Sequence, residues 1–140
     1  MSAKYFVDTN ILVYAHDASA GVKHERARAL VEGLWHSRGG VISTQVLQDL
    51  SVNVRKKAAH PLDRQATRDL VSDYLAWHVV VNDGGAVLAA LDLEDRYEVS
   101  FRDALIIHAA QVAGVEVLYS EDLSDGQRYG DVRVVNPLAG

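Results

Sequence analysis

The chain has 140 residues, is 49% hydrophobic and 24% charged, and contains only two prolines, values that fit one ordinary globular domain with a real core. It contains no cysteine, which excludes disulfides, thiolate metal sites and a thiol nucleophile, so any bound metal must be held by oxygen or imidazole. A formal net charge of −5 argues against a protein that coats nucleic acid indiscriminately and leaves room for an enzyme with a local basic path.

Taken in chain order, short β-branched runs alternate with longer helical patterns. The start, Met1 to Phe6, has no basic stretch followed by an apolar run, and no later window reaches the length needed to cross a bilayer; the expectation is a soluble, cytoplasmic protein with no membrane contact. Tyr5-Phe6-Val7 predicts the first strand, followed by helices over 9–15 and 22–37. Val41-Ile42 predicts the second, followed by helices over 44–58 and 63–77. Val79-Val80-Val81 predicts the third, followed by helices over 84–97 and 101–113. Val115 to Tyr119 and Val132 to Val135 predict the last two, with a short helical turn after Asp122. This rhythm is that of a parallel α/β sheet of about five strands. Gly39-Gly40 and Gly84-Gly85 sit where helices and strands meet, and neither a repeat nor a linker interrupts residues 1–140.

Two helices carry polar residues of interest. In the helix from Thr44, the residues Val46, Leu47, Leu50 and Val54 form one apolar stripe, with Asp49 and Asn53 along its edge. The helix over 101–113 is apolar almost all round, which predicts burial, with Asp103 in its first turn. A candidate basic path runs through Arg55, Lys56 and Lys57 and on to Arg64 and Arg68; the alternative for the triplet is a solvated helix end whose cations favour the C-terminal dipole.

Four aspartates share a topological address. Asp8 follows the first strand, Asp49 lies early in the helix after the second, Asp103 opens the buried helix and Asp122 follows the fourth strand. In a parallel α/β sheet all four places face the carboxyl edge, where ligands of such sheets bind. Two carboxylates about 4 Å apart repel by roughly 4 kcal/mol at an effective dielectric near 20, so a converging set needs a cation or must take up protons. A hard divalent ion is the natural partner, and the implied chemistry is metal-assisted phosphodiester hydrolysis. Each aspartate also has an ordinary structural reading: Asp8 and Asp122 as caps, Asp49 as a surface residue, and Asp103 as the acid of a capping box with Ser100. On the residues alone the two readings stand level.

Several stretches resemble one family. Phe6-Val7-Asp8-Thr9-Asn10-Ile11-Leu12 resembles the opening motif of PIN-domain nucleases, whose aspartate is a metal ligand. Ile42 to Asp49, Ser100 to Ile106 and Tyr119 to Leu123 resemble, in order, the family's second, third and fourth acidic motifs, and Gly126, Val134 and Asn136-Pro137 its closing segment. The resemblance implies a doubly wound sheet with helices on both faces and Mg²⁺- or Mn²⁺-dependent cleavage of RNA. It also implies catalytic residues Asp8, Asp49, Asp103 and Asp122, of which Asp8, Asp103 and Asp122 hold the metal. For a single domain of this length it further implies a VapC-type toxin, a homodimer held inactive by a small antitoxin. Two departures matter. Asp49 stands where the family usually has glutamate, one methylene longer, and Arg102 stands where an aromatic is common. Arg102 and Asn10 join Arg55, Lys56 and Lys57 as candidate substrate contacts. Glu121 reads as a surface acid, and Ser43 and Thr44 as N-caps.

The six histidines show no paired metal spacing, which disfavours a zinc site, and His108 reads as a core residue. Tyr14, Trp35, Tyr74 and Trp77 read as core or interface packing. A phosphoacceptor receiver domain would need a late lysine, and none follows Lys57; a haloacid-dehalogenase-type phosphatase would need an aspartate where Asn10 stands. The rival from another class is a PIN-like module that binds RNA or protein without cutting.

Overall fold

The computed structural model describes residues 3–56 and 59–139. Strand β1 (Tyr5–Val7) leads into α1 (Thr9–Ala15), a single 3₁₀ turn at Ala18–Ala20 and α2 (Val22–Ser37). Strand β2 (Gly40–Ser43) is followed by α3 (Thr44–Lys56) and α4 (Arg64–Tyr74), and β3 (His78–Val80) by α5 (Gly84–Tyr97) and α6 (Phe101–Ala113). Strands β4 (Val117–Tyr119), β5 (Arg128–Tyr129) and β6 (Val132–Val135) complete the described chain. The sheet has six strands in the order β3-β2-β1-β4-β6-β5, all parallel except β5, which pairs antiparallel with β6. The extra strand beyond the five expected is this two-residue arm of a hairpin turning at Gly130, whose φ of 63° suits glycine.

The order explains where a site must lie. From β1 the chain winds outward through β2 to β3, then returns over the sheet to place β4 on the other side of β1. Right-handed crossovers in opposite directions put their helices on opposite faces. Accordingly α1 to α4 pack among themselves, while α5 pairs with α6, which also lies against β2, β3 and β6. The winding reverses between β1 and β4, and the crevice outside their carboxyl ends is the switch point where open α/β sheets bind ligands. The ladder between them runs Tyr5–Val117, Phe6–Leu118, Val7–Tyr119, and one further bond, Asp8 N–H to Tyr119 O at 2.9 Å, carries Asp8 to that edge.

Phe6, Val7, Val41, Ile42 and Leu118 are fully buried in the central strands, as continuous apolar runs in a sheet covered on both faces require. Ile106 and Ile107 from α6 and Leu50 from α3 close the core from the two sides. No helix among the described residues is long and apolar enough to cross a membrane.

Helix α4 stops at Tyr74, three positions short of the expected end. Trp77 is needed elsewhere: it is buried, edge-on to both Tyr74 and Trp35, with ring centroids 5.1 and 5.4 Å away, and its indole covers Gly40. A Cβ at position 40 would overlap that ring. Gly40→Ala should therefore destabilise the fold by about 1–3 kcal/mol, the usual effect of overpacking, read as a lower urea midpoint at unchanged slope.

Candidate active site

Asp8 is the centre of the edge. It is 0% exposed, and it is at once the N-cap of α1 and a member of the acidic set, so the two readings of the sequence hold together at this residue. Its Oδ1 accepts from Thr9 N–H at 2.7 Å and from Arg102 Nη2 at 3.1 Å, and its Oδ2 accepts from the Ser120 hydroxyl at 3.0 Å. A buried carboxylate left without such donors would be costly, by several kcal/mol.

Arg102 ties the set together. Besides Asp8, its Nη2 lies 3.4 Å from Asp49 Oδ2 and 3.5 Å from Thr9 Oγ1, and its Nη1 lies 3.3 Å from Asp103 Oδ1. One guanidinium thus bridges carboxylates from the end of β1, from α3 and from α6. Burial opposes the charge of Arg102, yet Asp8, Asp49 and Asp103 outweigh it and push its pKa above the ordinary guanidinium value. Its main chain is anchored, because Gln45 Nε2 donates to the Arg102 carbonyl at 3.2 Å.

Asp122 joins from the other side of the switch point. Ser120, fully buried, donates to Asp8 and accepts from the backbone N–H groups of Asp122 and Leu123, both at 3.2 Å. The exposed Asp122 carboxylate accepts from Asn10 Nδ2 at 2.8 Å. The structure thus gathers Asp8, Asp49 and Asp103 on one cation and links Asp122 to them through Ser120 and Asn10. Among the described residues no three histidine, aspartate or glutamate side chains stand close enough together to hold a metal ion; the guanidinium occupies the space between them.

The remaining candidates sort by geometry. Ser100 caps α6, its hydroxyl accepting from Asp103 N–H at 3.1 Å, but the Asp103 carboxylate engages Arg102 rather than closing a capping box. Ser43 caps α3 through Val46 N–H, as expected, whereas Thr44 does something else: its hydroxyl accepts from Asn82 N–H, fixing the chain after β3. Glu121 is neither in the cluster nor free on the surface. Its oxygens take Lys23 Nζ at 2.7 Å and Tyr14 O–H at 2.8 Å; although burial raises its pKa, these donors bring it below the ordinary carboxylate value.

Arg55 and Lys56 lie in the last turn of α3, where their charge favours the helix dipole, and Lys57 lies outside the described residues. Arg55 also lines a cleft of about 400 Å³ between α3 and α4, together with Arg64, Arg68, Ser51 and Thr67, and no acidic side chain lines it. Sequence reasoning missed Ser120 and Gln45. A serine two residues before the loop aspartate, able to take its N–H, was the available signal for Ser120; nothing local marks Gln45.

With this geometry in hand, comparison with known proteins is informative. Residues 5–124 match the sequence profile of the family described as PIN domain. No curated protein sequence matches the chain significantly. Among solved structures, the chain resembles VapC20 of Mycobacterium tuberculosis, a toxin that cleaves the sarcin-ricin loop, with TM-score 0.67 and 21% identity over 85% of this chain and 90% of that one. It also resembles a toxin–antitoxin complex from Klebsiella pneumoniae, with TM-score 0.69 and 24% identity over 97% and 98% of the two chains. A third likeness is to VapBC2 from Rickettsia felis bound to a promoter DNA fragment, with TM-score 0.64 and 19% identity over 93% and 96%.

Proposed function

The chain belongs to the PIN domain family, and from that premise we propose that it is a Mg²⁺- or Mn²⁺-dependent endoribonuclease, the toxin of a VapBC-type toxin–antitoxin pair. The observation that carries this reading is the convergence of Asp8, Asp49 and Asp103 on one positive charge at the switch point of the sheet.

The chemistry of the donor set suits the ion, although its members must draw closer together than they stand around Arg102 to hold one. The set consists of carboxylate oxygens alone, the ligands hard divalent ions prefer, and a cation already resides among them in the form of Arg102. Asp8, Asp103 and Asp122 would hold the metal, with Asp49 in a lesser role because its side chain is engaged at the margin of the site. When bound, a divalent ion polarises phosphate oxygens and makes a coordinated water a better nucleophile. The chain's own residues supply the rest. Ser120 and Thr9 fix the orientation of Asp8, so that its carboxylate need not reorganise when substrate arrives. Asn10 holds the exposed Asp122 in place, and its amide would be a donor for a phosphate oxygen approaching the same edge.

RNA would run from this edge towards the cleft of Arg55, Arg64 and Arg68, the locally positive surface of a chain whose net charge is −5. An antitoxin and a second copy of the chain are the proposed partners; Val87, Leu88 and Leu91 leave an exposed apolar stripe on α5 that such a contact would cover. A second reading, a module that binds without cutting, is favoured by one observation, the presence of Arg102 where a metal would sit.

Cleavage of mixed RNAs should require added Mg²⁺ or Mn²⁺ and should fall by on the order of a hundredfold or more in Asp8→Asn, Asp103→Asn and Asp122→Asn alike, with Asp49→Asn milder at about tenfold. Equal cleavage in EDTA removes the metal reading, and no cleavage under any condition leaves the binding module. Replacing Arg55, Arg64 and Arg68 together by glutamine should lower the salt dependence of RNA binding in EDTA. The slope should fall by about 2, from three phosphate contacts at roughly 0.7 each on a single strand. An unchanged slope removes the basic path and returns Arg55 to the role of a solvated helix end.

A further inference from the structure

We propose that Arg102 is a built-in counter-ion that competes with divalent metal for the acidic site, so that metal enters only as the guanidinium leaves. The inference rests on the metal-dependent reading of the site given above. Its basis is geometric. A planar guanidinium offers several N–H donors in a fixed fork, and here that fork reaches Asp8 and Asp49 with Nη2 and Asp103 with Nη1, all at 3.1–3.4 Å. Mg²⁺ binds carboxylate oxygen at about 2.1 Å, so an ion held by these carboxylates would need the space the fork now fills. Both cannot stay.

The side chain is built to move while its backbone is not. The Arg102 carbonyl is held by Gln45, and the residue opens a helix whose first turn is fixed by the Ser100 cap. The side chain itself is 37% exposed, so it is in part open to solvent. In metal-free protein it offsets the mutual repulsion of the carboxylates and keeps the edge assembled. Once displaced, it remains tethered beside the site as a charged fork able to take a phosphate oxygen pairwise. The same residue therefore weakens metal binding in the resting protein and supplies a substrate contact in the loaded one.

The test is Mn²⁺ binding followed by electron paramagnetic resonance on EDTA-stripped native protein, Arg102→Gln and Arg102→Lys. Glutamine keeps the first part of the stem and a polar end but removes the charge and the reach of the fork, and Mn²⁺ should bind on the order of tenfold tighter, the change expected when a competing unit charge is removed at this range. Lysine, a point charge that cannot span three carboxylates, should fall between the two. In metal-free buffer Arg102→Gln should melt below the native protein and recover on adding Mn²⁺. Should Arg102→Gln fail to fold without metal, the lysine variant alone carries the comparison. Mn²⁺ binding by Arg102→Gln or, failing that, Arg102→Lys that is equal to or weaker than native overturns the counter-ion and leaves the metal-dependent nuclease standing. Absence of Mn²⁺ binding in native protein and variants alike overturns both.

Discussion

A carboxylate with no solvent contact cannot be left without donors, and at Asp8 that requirement organises the whole carboxyl edge. Its position is set by the β1–β4 ladder, which runs one bond past the strand, and its charge is met from three directions: Thr9 N–H, the Ser120 hydroxyl and the Arg102 guanidinium. Each donor comes from a different element, so satisfying Asp8 also brings the β4 loop and the start of α6 to one point. Asp49 is then met by the same Nη2 that reaches Asp8, and Asp103 by Nη1 of the same guanidinium. Removing one partner of such an arrangement leaves a buried charge exposed to its like neighbours, which is why the cluster behaves as a unit.

The same edge separates charge across the molecule. Acids meet at the switch point, whereas Arg55, Arg64 and Arg68 face a cleft between α3 and α4. Helix α3 carries members of both, with Asp49 in its second turn and Arg55 in its last. One amphipathic helix, apolar towards the core through Val46, Leu50 and Val54, thereby fixes the spacing between the acidic cluster and the arginine-lined cleft.

Much of this was legible in the sequence because the patterns involved are local. The β-branched runs and the helices between them followed from periodicity, and the four aspartates were recognisable by their shared address after strands and at helix starts. What was not legible depends on distant partners. The role of Ser120 requires Asp8, 112 positions away, and that of Gln45 requires the Arg102 carbonyl, 57 positions away. The early end of α4 reflects Trp77 packing on Gly40, a tertiary demand that overrides helix propensity. Strand β5 is two residues long and carries no period to detect. Arg102 was visible as a departure from the family pattern, but which carboxylates it meets is decided by strand register.

The most direct test of whether these carboxylates form a metal site is thermal unfolding of native protein and Asp103→Ala across a Mn²⁺ titration in EDTA-treated buffer. The cap bond of α6 is donated by Asp103 N–H to the Ser100 hydroxyl and survives the substitution, so the metal-free melting temperatures should lie close together. Native protein should then gain stability by mass action as the ion concentration passes its dissociation constant, while the variant gains much less. Parallel curves, with the variant lower by a constant amount at every concentration, would contradict the account and reduce Asp103 to a helix-start residue.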